Sequence, residues 1–320
     1  MKIGILGSGF IVDVFVKNSK MIKDFELYAI WGRHEEKIKQ FKGFKLYTTD
    51  INEFLNDKNI EVVYIALPNA LHYEYALKAL KSDKHVMLEK PFCTNYSQAK
   101  SLVDYAKKHK LLLYETIMTT HSKMYQKMKK NIESLGEIKM IDISFCQYSR
   151  RYEKFKNSII TPAFDYKMAG GTLMDLGVYN IYFVLDMFGI PKNTHYFPNI
   201  YKKVDTSGVL ILDYGKFKAN MVAGKDQKSP CYAQIQGDKG YLRCNSTTSR
   251  CSNFEVVLND GKRKIYEGED SEFVGWLPMY KDFVKIYKNK DYETCNKLLK
   301  QTLNVQKVLD AARVSAKMEY

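Results

Sequence analysis

Along its first third the chain alternates short apolar runs with stretches of helical period. Residues 2–6, 26–30, 62–66, 85–89 and 111–115 read as strands, too short and too uniformly apolar to be half-exposed helices. Between them, residues 72–82 and 97–109 are amphipathic, with Leu102, Val103 and Ala106 recurring at helical spacing. Five such strand–helix units predict a doubly wound α/β domain, a Rossmann-type parallel sheet over residues 1–120. After His121 the period shifts from helical to alternating. Residues 138–148 form the longest alternating run; 209–213 and 218–222 flank Tyr214-Gly215, and 254–258 and 263–266 flank Asn259-Asp260-Gly261, as hairpins do. Two helical segments, 173–188 and 291–317, are suited to covering one face of that sheet. Residues 121–320 therefore read as an α+β domain with an open, mainly antiparallel sheet whose other face is left for a partner subunit, in a homodimer or homotetramer.

Composition narrows the classes. With 45% apolar residues among 320, the chain can fill two cores, which argues against disorder, collagen or a small disulfide scaffold. Fifty Lys and Arg against thirty-six Asp and Glu leave a net charge of +14. The lysines run from Lys2 to Lys317 without a block of roughly five or six like charges, so the surplus reads as a solvated surface and not as a nucleic-acid arm. Six cysteines lie far apart with no C-x-x-C, and six histidines are equally dispersed, so no metal site is expected and the thiols read as reduced. No apolar signal core opens the chain, and no stretch approaches the roughly 18 apolar residues of a membrane span; a cytoplasmic location is the expectation.

Four places carry candidate chemistry. The first predicted strand runs into Gly7-Ser8-Gly9 and then a helical pattern, the setting in which backbone N–H groups meet a pyrophosphate at a helix N-terminus. The same turn without a ligand is the plainer reading. Position 12 carries Val where a Gly or Ala would let helix and strand pack closest. The second strand ends at Trp31-Gly32-Arg33, with no acid to bind ribose hydroxyls; Arg33, with Lys37 nearby, suits a 2′-phosphate and so favours NADP over NAD, unless it is an ordinary surface arginine. Glu89-Lys90-Pro91 closes a strand at the carboxyl end of the sheet, where a lysine ammonium can hold a substrate oxygen. Finally, Gly170-Gly171 opens a helix on which Asp175 and Tyr179, four apart, share a face. A carboxylate and a phenol near a lysine make a proton-transfer set, although either residue read alone is more simply packing.

Taken together, Gly7-Ser8-Gly9, the run Leu67-Pro68-Asn69-Ala70-Leu71-His72, the block Lys84 to Pro91 and the run Gly170 to Tyr179 resemble the Gfo/Idh/MocA family. That family includes glucose–fructose oxidoreductase, inositol dehydrogenase and dimeric dihydrodiol dehydrogenase. The resemblance spans the chain to the final helix and implies a nicotinamide-dependent dehydrogenase or reductase of CH–OH groups in a sugar, polyol or cyclic diol. By that resemblance Gly7, Ser8, Gly9, Phe10 and Ile11 line the pyrophosphate, Arg33 takes the adenosine end, and Leu67, Pro68, Asn69, His72, Glu89 and Lys90 form the nicotinamide side. Lys90, Asp175 and Tyr179 then meet the substrate. Many members carry His in place of Tyr179; the Tyr form resembles the dihydrodiol and xylose dehydrogenase branch, which favours NADP. Val12 and the segment Thr119-Thr120-His121-Ser122 depart from the family pattern. Two other functions are found on such a fold: a non-catalytic NAD(P)-binding regulator, and a glycosidase that uses a tightly held NAD.

Overall fold

The uniformly apolar runs become strands buried on both faces. In the computed structural model, which describes residues 1–268 and 275–318, they form a six-stranded parallel sheet. Its strands are β1 (Lys2–Leu6), β2 (Glu26–Trp31), β3 (Leu46–Thr48), β4 (Val62–Ile65), β5 (His85–Glu89) and β6 (Leu113–Thr116), in the order β3-β2-β1-β4-β5-β6. All four side chains of β4 are inaccessible to solvent, as a sheet with helices on both faces requires. The order reverses between β1 and β4, so their carboxyl ends flank the crevice where ligands of such sheets bind.

The division at residue 120 needs one correction. The chain forms two compact units, Met1–Thr116 with Trp276–Leu303, and Ile117–Gly275 with Asn304–Tyr320. The helix Leu277–Asn289, absent from the sequence reading, packs on the parallel sheet: Tyr280 meets Phe15 edge to face at 5.2 Å, and Tyr114 Oη donates to the Met279 carbonyl at 3.0 Å. The early part of the final helix, Tyr292–Ser315, joins it there, with Cys295 Sγ 3.2 Å from the Leu113 carbonyl. An amphipathic period announces a buried face without saying which sheet will bury it.

The second unit holds an eight-stranded sheet: β7 (Ile138–Cys146), β8 (Asn193–Tyr201), β9 (Val204–Asp213), β10 (Lys218–Gly224), β11 (Tyr232–Gly237), β12 (Gly240–Cys244), β13 (Asn253–Leu258) and β14 (Arg263–Glu267). Their order is β14-β13-β12-β11-β7-β10-β9-β8, and the β7–β10 pair is parallel while the other neighbours are antiparallel. One face is apolar: Ile143, Leu212, Met221 and Ile235 pack with Val178, Ile181 and Val184 of the helix Val178–Phe188. The opposite face carries a polar lattice in which Asn220 Nδ2 and Tyr232 Oη donate to the two oxygens of Asp142 at 2.7 and 2.6 Å. Met140, Phe197 and Ile265 stand exposed. Among the described residues, no helix is long and apolar enough to cross a membrane.

Candidate functional site

The first unit brings the predicted cofactor residues to the carboxyl ends of adjacent strands. Gly7 has φ +130°, and a Cβ there would lie 2.5 Å from the Ala66 carbonyl oxygen, so only glycine lets the turn cross the end of β4. Its N–H donates to the Trp31 carbonyl at 2.9 Å, which ties the ends of β1 and β2 together. Gly9 opens the helix Phe10–Ser19 with no side-chain cap, and a Cβ on it would meet nothing within 4 Å. An uncapped helix start under open space is what a pyrophosphate needs, so the residues present fit a dinucleotide. Ser8 is half-buried beside the position of a Gly32 Cβ, Phe10 is exposed and Ile11 half-buried. Val12 is fully buried, with its Cγ2 3.4 Å from where a Gly7 Cβ would be; the absent methyl at Gly7 makes room for it. Beyond β2, Arg33 is exposed and, among the described residues, has no ion-pair partner.

At the other side of the switch point two predicted residues turn inward. His72 is buried at the start of the helix His72–Lys81, with Nδ1 2.8 Å from the Pro91 carbonyl and Nε2 2.9 Å from the Leu67 carbonyl. Burial pushes its pKa down, while the two carbonyls pull it up. The ring thereby links the segment after β4, where Leu67, Pro68 and Asn69 are half-buried, to the segment after β5. Glu89 is buried too, and its Oε1 accepts from Tyr64 Oη and Thr116 Oγ1, both at 2.7 Å. Burial raises its pKa, against the pull of those two hydroxyls. Lys90 is the first half-exposed residue after four buried ones, and its peptide bond to Pro91 is cis. His72 thus ties together the segments after β4 and β5, and Glu89 ties the end of β5 to β4 and β6.

In the second unit the two glycines answer to packing. A Cβ on Gly170 would overlap the Pro162 carbonyl oxygen, and one on Gly171, whose φ is +124°, would overlap Asp205 Oδ1. Asp205 is fully buried, and its Oδ2 accepts the Leu173 N–H at 2.7 Å and the Tyr196 hydroxyl at 2.8 Å. The segment Leu173–Gly177 then runs as a π-helical turn into Val178–Phe188. Such turns concentrate at functional sites. Of residues 169–185 all are buried except Asp175 and Tyr179. The Tyr179 ring packs at 6.0 Å from Phe145, beside Leu176 and Ala223. Lys225 Nζ lies 2.8 Å from Asp175 Oδ2. Thr119 and Thr120, where the chain departs from the family pattern, are buried. Gly171→Ala is expected to destabilise this unit by more than the roughly 1–3 kcal/mol of backbone strain alone, because the new methyl also displaces the Asp205 carboxylate; urea unfolding followed by tyrosine fluorescence reads the loss.

Lys225 and Asp205 were not singled out by the sequence. Asp205 is separated from the apolar run 209–212 by Thr206-Ser207-Gly208, so nothing in the sequence marked it as buried, and Lys225, one of many lysines, carried no signal either.

Residues 1–116 match the family model described as the oxidoreductase family with an NAD-binding Rossmann fold, and residues 125–243 match the GFO/IDH/MocA C-terminal domain. The chain belongs to the Gfo/Idh/MocA family. It is therefore an NAD(P)-binding oxidoreductase, and the Gly7–Ile11 turn lies in the dinucleotide-binding part. This Gfo/Idh/MocA oxidoreductase is 30% identical over 319 residues to the NADP(+)-dependent scyllo-inositol 2-dehydrogenase IolU of Bacillus subtilis, covering 98% of this chain and 96% of that one. It is 27% identical to the trans-1,2-dihydrobenzene-1,2-diol dehydrogenase of Xenopus tropicalis, covering 82% and 80%. Its fold matches KijD10, a 3-ketoreductase from Actinomadura kijaniata, with a TM-score of 0.86 at 20% identity, over 98% of this chain and 97% of that one. Among the described residues no cluster of His, Cys, Asp or Glu is placed to hold a metal ion.

Proposed function

We propose that the protein catalyses reversible NADP-linked oxidation of a secondary alcohol on a polyol or sugar. The observation that carries this reading is the exposure pattern of residues 169–185, in which only a carboxylate and a phenol, Asp175 and Tyr179, escape burial. On an otherwise buried segment, these are the two polar side chains left within reach of a ligand. The names of the relatives, an inositol dehydrogenase and a dihydrodiol dehydrogenase, support a cyclic polyol or diol as the substrate class.

A bound nicotinamide would supply hydride exchange with the alcohol carbon; the remaining work falls to side chains. Ser8, Gly9, Phe10 and Ile11 hold the pyrophosphate through backbone N–H groups, with Gly7 making the turn that presents them, while Leu67, Pro68 and Asn69 line the nicotinamide side. His72 and Glu89 fix the two strand ends from beneath. The Lys90 ammonium binds the alcohol oxygen and stabilises the negative charge that grows there as the proton leaves. Tyr179, as its phenolate, takes that proton, or as the phenol returns it in the reductive direction, and Asp175 holds a substrate hydroxyl.

Arg33 is assigned to the 2′-phosphate of NADP. Its exposed guanidinium sits where an NAD-selecting acid would stand, two residues past the end of β2. Losing a hydrogen bond to a charged group costs about 1.5–3 kcal/mol, so Arg33→Ala is expected to raise the KM for NADP roughly 10- to 150-fold. The KM for NAD should stay nearly constant, as initial rates with each cofactor will show.

The exposed face of the second sheet, with Met140, Phe197 and Ile265, is assigned to a second copy of the chain. Phe197→Glu is expected to lower the mass seen by sedimentation velocity to that of a single chain.

Screening NADP+ and NAD+ reduction against inositols, aldoses and diols tests the functional reading directly. Turnover of a polyol with NADP+ supports it. No turnover on any compound favours a cofactor-binding regulator, and release of a sugar without net change in cofactor favours a glycosidase.

A further inference from the structure

Lys225 immediately follows β10, and its side chain is only 3% exposed, which is rare for a lysine. Its ammonium is held on three sides. It lies 2.8 Å from Asp175 Oδ2, donates to the Ala163 carbonyl at 2.9 Å, and sits 4.4 Å from the centre of the Phe164 ring. The backbone from which it extends is pinned as well, because the Lys225 N–H donates to the Thr206 carbonyl and the Ser149 N–H donates to the Lys225 carbonyl, both at 2.8 Å. An ammonium stripped of water needs a counter-charge. The carboxylate that supplies it is over a third exposed, so the buried partner fixes the accessible one.

Asp205 completes the arrangement. Burial pushes its carboxyl up to about 6, while the Leu173 N–H, the Tyr196 hydroxyl and the Lys225 charge pull it back. Through the Leu173 N–H it grips the start of the turn that carries Asp175. Asp175 is thus restrained by its own backbone turn and by its charge partner.

We infer that Lys225 is a positioning residue of the active site: its buried ammonium holds Oδ2 of Asp175 and so sets the direction in which that carboxylate meets the substrate hydroxyl. A carboxylate has about four acceptor positions, so a second donor can be received while Lys225 is bound. This inference rests on the reading of Asp175 as a substrate-holding group, and it assigns Lys225 no contact with substrate or cofactor.

Two experiments on the full chain test it. In thermal melts without substrate, Asp175→Asn should lower the melting temperature by about 6 °C or more, because it strands a buried ammonium. Adding Lys225→Met to that variant should recover most of the loss, whereas a residue that served the substrate alone could be neutralised at no cost. In initial-rate assays with a polyol that the protein oxidises, Lys225→Met should lower kcat/KM for the alcohol roughly 10- to 100-fold. The affinity for NADPH should remain within about twofold of wild type. Lys225→Arg, which keeps the charge, should restore much of the rate, and Lys225→Met should have little further effect once Asp175→Asn is present. Losses that multiply in the double variant, or an Asp175→Asn protein that melts like wild type, overturn the inference. Should Lys225→Met fail to fold, the Asp175→Asn melt and the Lys225→Arg rates carry the decision. Absence of alcohol turnover by the wild type removes the functional reading instead, and the melts still decide whether the two charges are coupled.

Discussion

Lys90→Met is expected to slow turnover at least about a hundredfold, the low end of what losing a positioned acid or base costs, while NADPH binding stays nearly intact. Methionine keeps the length and most of the bulk of the lysine stem and removes only the charge. The scaffold around it has ties of its own: Glu89 is anchored beneath by Tyr64 and Thr116, and the Pro91 carbonyl is 2.8 Å from His72 Nδ1. The proposed dinucleotide contacts lie largely elsewhere, in the turn after β1 and at Arg33. The variant therefore separates chemistry from binding, with kcat measured on an active polyol and NADPH affinity by fluorescence titration. Unchanged turnover removes Lys90 from the mechanism.

Tyr179→Phe is expected to produce a loss of similar size, again at least about a hundredfold in kcat. The ring is packed at 6.0 Å from Phe145 and against Leu176 and Ala223, contacts that phenylalanine retains. Only the hydroxyl goes. Since Lys90 and Tyr179 are assigned to one oxygen and one proton, the variant lacking both should be about as slow as the slower single variant, as groups acting as a unit behave. Losses that multiply would mean that the two residues serve separate steps.

How far the sequence could be read follows from what each element packs against. The runs at residues 2–6 and 85–89 became β1 and β5 to the residue, because a strand buried on both faces writes an unbroken apolar run between turn residues. At three residues, Leu46–Thr48 is too short to show any period. The edge strand β8 buries Tyr196 alone, so its alternation was invisible. The spacing of Asp175 and Tyr179 and the glycines before them were legible because they lie close in sequence. The reason for Gly171 was not: it makes room for Asp205, thirty-four residues further on. Lys225 and Asp175 are likewise joined only by the fold. The inward turn of His72 and Glu89 also escaped the sequence, since a motif gives residue types and not the side on which a side chain finds its partners.

Following the hydrogen itself tests the central claim most directly. A polyol that the protein oxidises, deuterated at the alcohol carbon, is incubated with NADP+, and the reduced cofactor is recovered for mass spectrometry. The account predicts NADPH carrying one deuterium from that carbon; unlabelled NADPH, or alcohol consumed with no reduced cofactor formed, would contradict it.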